Sequence, residues 1–130
     1  MQFISAVTLV VPEYDAGIAF YAGLLGFALI ADIDMGDGKR WVLVAPPGSR
    51  ECRLLLARAA DAAQTAVIGH QTGGRVFLFL NTSDFDADHA RMLAAGVDFL
   101  EAPRREPYGT VAVFRDPFGN KWDLLQLKAV

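Results

Sequence analysis

Tyr108-Gly109-Thr110-Val111-Ala112-Val113-Phe114-Arg115-Asp116-Pro117-Phe118-Gly119-Asn120-Lys121-Trp122-Asp123-Leu124-Leu125-Gln126-Leu127 decides the fold. It predicts two strands joined by a tight turn. Val111, Val113 and Phe114 supply β-branched and aromatic bulk before the turn. In Asp116-Pro117-Phe118-Gly119-Asn120, Pro presets φ, Gly permits positive φ, and the flanking Asp and Asn can bond their own backbone. After the turn, Asp123 stands among Trp122, Leu124 and Leu125. A carboxylate in an apolar strand is costly without a partner, which makes Asp123 the first candidate for chemistry.

Outward from this hairpin the pattern repeats. Phe3 to Val11, Phe27 to Ile33, Arg40 to Ala45 and Glu51 to Ala57 read as strands, with a helix after Pro12-Glu13-Tyr14-Asp15. Tyr14, Ile18, Tyr21, Leu24 and Leu25 fall on one face of that helix at helical spacing, and Gly26 ends it. Met35-Gly36-Asp37-Gly38 is a hairpin turn. Arg58 to Gln71 is an Ala-rich connector with a helical turn or two, closing in Gly69-His70-Gln71-Thr72-Gly73-Gly74. A strand then runs from Arg75 to Asn81. Ser83-Asp84-Phe85-Asp86 has the form of a capping box opening a second helix, which Gly96 ends. Val97 to Leu100 is a strand, and Pro103 to Pro107 is a charged loop.

The halves match at a shift of 71 residues: Gly38 with Gly109, Pro46 with Pro117, Gly48 with Gly119. Such a period is too long for a solenoid and points to two β-α-β-β-β modules in an α+β fold. Module one covers 1–58, the connector 59–74 and module two 75–130. Each module has one helix for one face of a four-stranded sheet, so the other face is left for a groove or a partner.

Composition narrows the function classes. The chain has 130 residues and a net charge of −3, with no basic run, so a nucleic-acid partner is not expected. Gly17 to Ala31 is uncharged but falls short of the ~18–20 residues that cross a bilayer, and no membrane partner is expected. Cys52 is the only cysteine, so no internal disulfide forms; with no signal-peptide pattern at the N-terminus, a cytoplasmic location is expected. Cys52 itself reads as a small buried hydrophobe.

The paired modules carry Val7-Thr8-Leu9-Val10-Val11-Pro12, Phe20-Tyr21, Leu24-Leu25-Gly26-Phe27 and Asp116-Pro117-Phe118-Gly119-Asn120-Lys121-Trp122-Asp123-Leu124. Together these resemble the glyoxalase / bleomycin-resistance / extradiol-dioxygenase group, the vicinal oxygen chelate superfamily, over essentially the whole chain. The resemblance implies two mixed sheets curling round a cup, and a homodimer. It also implies a divalent metal held by His, Glu or Gln on the first and last strand of each module. Such a metal would act as a Lewis acid on paired substrate oxygens. Those four positions fall here on Ala6, Arg53, Phe77 and Asp123. Only Asp123 can be a ligand, so no cofactor is expected and a divalent metal is doubtful.

Three functional readings follow. The first is a protein that binds a small organic molecule in a metal-free cup. The second is a metal-dependent lyase, isomerase or dioxygenase, which the missing ligands oppose. The third is a metal-independent enzyme with Asp123 as acid/base and Arg53 as an electrostatic clamp. Phe77, Trp41 and Tyr108 are candidate walls of a ligand site, and His70 and Gln71 candidates for its mouth. Trp122 and Phe114 read as core, His89 as a solvated or partly packed helix residue.

Overall fold

In the computed structural model, which describes residues 1–129, the chain forms two compact units that divide between Ile68 and Gly69. The first holds β1 (Ala6–Val11), α1 (Tyr14–Ile18) running on as π-helical turns (Ala19–Leu24), β2 (Ala28–Gly36), β3 (Lys39–Ala45), β4 (Arg53–Arg58) and α2 (Ala62–Ala66). The second holds β5 (Leu78–Asn81), α3 (Phe85–Ala95), β6 (Asp98–Phe99), β7 (Arg104–Glu106), β8 (Gly109–Arg115) and β9 (Lys121–Leu127). The first unit has the β-α-β-β-β arrangement expected from the repeat, followed by α2, and the second has the same arrangement with one short strand, β7, added. Phe3 and Ile4, read as strand, precede β1 and stand exposed.

The first sheet has the order β1-β4-β3-β2, with β1 and β4 parallel and the other pairs antiparallel. Alternation puts Leu9, Val11, Val42, Val44, Leu54 and Leu56 on the face that the helix covers, and all six are buried. Burying side chains of this size stabilises by roughly 1.5–3 kcal/mol each. The helix itself departs from simple 3.6-residue spacing. Leu25 N–H donates to the Phe20 carbonyl at 2.8 Å, a five-residue step that widens the turn. Tyr14, Phe20, Tyr21 and Leu25 are therefore buried, whereas Leu24, expected on the same face, turns outward. Gly26 ends the helix at φ 85°.

Arg40 ties this helix to the β2–β3 hairpin. Its guanidinium donates to Asp32 Oδ1 and Oδ2 and to Asp15 Oδ1, and lies 5.2 Å from the Tyr14 ring centroid. The hydrogen bond from Arg40 holds the Asp32 carboxyl below its ordinary value of 3.8.

The second sheet runs β5-β9-β8-β6, and β7 also pairs with β8, giving a fifth strand where a four-stranded sheet was expected. Residues 103–107, read as a loop because prolines bracket three charged residues, contain this strand; an edge strand needs no apolar alternation. Trp122, Leu124, Ala112 and Phe114 pack beneath α3. Phe85, His89, Phe99, Phe114 and Trp122 continue as one aromatic series, with centroid separations from 4.5 to 5.7 Å. His89 is thus a packing residue. The cap of α3 is Asp84, whose Oδ1 accepts from Ala87 N–H at 3.2 Å, one residue later than the Ser83 box predicts.

Candidate functional site

Asp123 lies in the middle of β9, level with Phe79 on β5 and Val113 on β8. Trp122 and Leu124 point to the helix, so alternation sends Asp123 to the open face with Lys121, Leu125, Val113 and Phe79. Phe79 is 64% exposed there. Phe77 shares this face one step earlier: its N–H donates to the Lys121 carbonyl at 2.8 Å. Asp123 Oδ1 is buried and has no hydrogen-bond partner among the described residues. Loss of water around the carboxyl raises its pKa; the nearby Arg104 guanidinium acts against this and the Glu101 carboxylate with it.

Arg104 does not relieve Asp123 because it is already engaged. Its Nε donates to both Glu101 oxygens at 2.9 Å and its Nη1 to Glu106 Oε1 at 2.6 Å. Glu101 Oε1 also accepts from Val113 N–H at 3.1 Å, which fixes this group beside the strand neighbouring Asp123. Phe79 and Glu101 are the site residues that sequence reading missed, and Arg104 and Glu106 read there as a charged, mainly solvated loop with at most a gating role. Two-residue alternation from Phe77 signals Phe79. Nothing in a charged segment some twenty residues upstream signals that it lies beside Asp123.

In the first unit the open face carries Ala6, Thr8, Arg53, Leu55, Leu43 and Trp41, with Ala6 directly across from Arg53 and Leu43 across from Leu55. Trp41 is 42% exposed and sits opposite Ile33. Arg53 and Trp41 therefore share a sheet face. Strand register also sets which residues correspond between units. Ala6 is level with Arg53, and Phe77, its partner in the repeat, bonds at Lys121. Arg53 therefore corresponds to Lys121, and Asp123 to Leu55, which stands level with Thr8 as Asp123 does with Phe79.

His70 and Gln71 lie in the turns that precede β5, His70 exposed and Gln71 half-buried. They start beside the Asp116–Asn120 turn. Gly69 has φ 71°, and a Cβ there would fall 1.9 Å from the Phe118 carbonyl oxygen, so only glycine lets the two segments touch. That turn is internally braced. Asp116 Oδ1 accepts from the N–H groups of Phe118 and Asn120 at 3.0 and 2.8 Å, and Oδ2 accepts from Asn120 Nδ2 at 2.7 Å. Tyr108 sits in the β7–β8 turn, 48% exposed. Cys52, expected to be buried, is exposed at the edge of β4, where its thiol reaches only the Arg53 carbonyl, at 3.6 Å.

The donor set does not fit a metal. No group of three or more His, Cys, Asp or Glu side chains that could hold an ion occurs among the described residues. Ala6, Leu55 and Phe77 offer no ligand atom, and Arg53 and Lys121 are cations.

Residues 3–124 match the model of the Glyoxalase/Bleomycin resistance protein/Dioxygenase superfamily. An uncharacterized protein of Shewanella frigidimarina is 54% identical over 127 residues, covering 97% of this chain and 94% of that protein. The crystal structure of UcmS2 superposes with a TM-score of 0.83 at 30% identity, over 96% of this chain and 98% of that one. TnmS3, an antibiotic binding protein from Streptomyces sp. CB03234, superposes with a TM-score of 0.78 at 31% identity, over 98% of both chains. With the paired β-α-β-β-β units, the Asp116–Asn120 turn and these matches all in agreement, the chain belongs to the glyoxalase/bleomycin resistance/dioxygenase superfamily.

Proposed function

We propose that this protein binds a small organic molecule, of the kind represented by antibiotics, and does so without a metal. The observation that carries this reading is the likeness to TnmS3, an antibiotic binding protein, along essentially the full length of both chains. Two further features support it. Of the positions that would hold a metal in the superfamily, only Asp123 carries a donor here. The open sheet faces carry aromatic side chains, Trp41 in one unit and Phe77 and Phe79 in the other, suited to a planar apolar ligand. Arg53, Tyr108, His70 and Gln71 complete the proposed ligand contacts, and the working form is a cytoplasmic homodimer. A second reading has one observation in its favour. Asp123, with its raised pKa, is suited to proton transfer, so a metal-independent enzyme using Asp123 and Arg53 is the alternative.

Elemental analysis of the purified protein, followed by titration with Mn²⁺, Ni²⁺ and Zn²⁺, tests the metal-free reading. Sub-stoichiometric metal and no saturable binding are expected. One tightly held ion per chain that switches on turnover of a hemithioacetal or a catechol would overturn it. Turnover by chelated protein that is lost in both Asp123→Asn and Arg53→Ala would favour the alternative.

A further inference from the structure

The second unit contains a carboxyl group that its own fold leaves unsatisfied. Asp123 Oδ1 is buried without a hydrogen-bond partner among the described residues, while Asp123 as a whole is only half-buried, so the carboxyl is open to the face it lies on. Buried acceptors in folded proteins are almost always bonded, so an exception asks for an explanation. A structural salt bridge does not supply it, because the cation that acts on Asp123, Arg104, is taken by Glu101 and Glu106. The other cations on this face are also engaged: Lys121 Nζ donates to the Gly74 carbonyl at 3.4 Å, and Arg115 pairs with Asp98 at 2.7 Å.

The surroundings then select the ligand. β5 presents Phe79, with Phe77 before it, and β8 presents Val113. This is an apolar, partly aromatic surface around one carboxyl. With the cations Arg104, Arg115 and Lys121 set against Asp98, Glu101, Glu106 and Asp123, the charge on and beside this face stays negative by one, and the acids lie next to Asp123 at Glu101 and Glu106, so an anion is disfavoured. We propose that Asp123 is the polar anchor of an aromatic ligand, neutral or cationic, that lies against Phe79 and donates an O–H or N–H hydrogen bond to this carboxyl. The inference rests on the small-molecule reading above and names the chemical class of its ligand. Desolvation of the carboxyl, which strengthens it as an acceptor, agrees with this role.

The test uses the full chain, isotope-labelled for NMR, and three probes: 2-naphthol, 2-methoxynaphthalene and 2-naphthoate. The first offers a donor, the second has that donor capped, and the third is an anion of similar shape. Expected is binding of 2-naphthol at least about fivefold tighter than 2-methoxynaphthalene, the factor that one net hydrogen bond supplies. Asp123→Ala should remove the preference by weakening 2-naphthol alone. Asp123→Asn, which keeps a carbonyl acceptor in the same shape, should retain part of it and guards against a folding defect in the alanine variant. Equal affinity for 2-naphthol and 2-methoxynaphthalene, or tightest binding by 2-naphthoate, would overturn the inference and leave the binding reading standing. No shift from any probe at Phe77, Phe79, Val113 and Leu125 would count against both.

Discussion

At the scale of single residues, Asp123 and Asp116 are opposite cases of a carboxylate among apolar neighbours. Asp116 is buried and its oxygens are bonded by two backbone N–H groups and the Asn120 amide. Asp116→Ala strands those donors, each at about 1–3 kcal/mol. Chemical denaturation should report a loss of at least about 3 kcal/mol. Asp123 has a buried oxygen with no partner among the described residues, and its pKa is raised, chiefly by desolvation. A raised acid pKa means that the folded state holds the proton more tightly than the unfolded one. Its contribution is fully present below the ordinary value of 3.8 and is lost as pH rises through the folded-state value. Asp123→Asn should therefore raise Tm at pH 8, and the gain should shrink towards pH 4. A gain that is constant with pH would place the effect elsewhere. Such a cost, kept in a fold that relieves it at Asp116, fits a group retained for binding.

At the scale of elements, the connector is fixed by a contact that one glycine permits. Gly69 has a left-handed φ and meets the Phe118 carbonyl, so Gly69→Ala combines backbone strain with a clash and should cost more than about 2 kcal/mol. Gly73 is the control: φ is 66° but nothing lies within 4 Å, so Gly73→Ala should cost only about 1 kcal/mol. Equal losses would mean that the connector does not rest on the turn. The elements most legible in the sequence are those fixed by local chemistry. Gly26 and Gly96 end helices because both need positive φ, and the Asp116–Asn120 turn encodes its own hydrogen bonds. Less legible are features set by neighbours. The widened helical turns that expose Leu24 depend on packing against the sheet. The strand Arg104–Glu106 exists only because β8 offers it an edge. Asp84 displaces Ser83 as cap, while the Thr82 hydroxyl accepts from Asp84 N–H at 3.0 Å and turns the chain there.

At the scale of the whole molecule, the repeat predicts two units and the register refines what they share. A sequence shift near 71 residues sets Arg53 against Asp123, because loops of unequal length hide the true offset of the last strands. Cross-strand pairing instead sets Arg53 against Lys121 and Leu55 against Asp123. Asp123 itself was legible, since an acid in an alternating apolar strand breaks the pattern. Its charged neighbours were not, since their proximity depends on strand pairing. The register-based correspondence leaves Asp123 as the one possible ligand among these positions, because leucine takes the place of an arginine that could not bind a metal either. The superfamily frame thus persists with a donor set unsuited to a metal, and aromatic side chains line the open sheet faces.

The central claim, that an organic ligand is held without a metal, is tested most directly by thermal shift. The protein, stripped with EDTA and kept in it, would be heated with a panel of glycopeptide and planar aromatic antibiotics. The account predicts that at least one member raises Tm in a saturable, concentration-dependent way, and that adding back Mn²⁺, Ni²⁺ or Zn²⁺ leaves the shift unchanged. A Tm that no antibiotic moves in EDTA, but that one equivalent of a divalent ion raises, would contradict it.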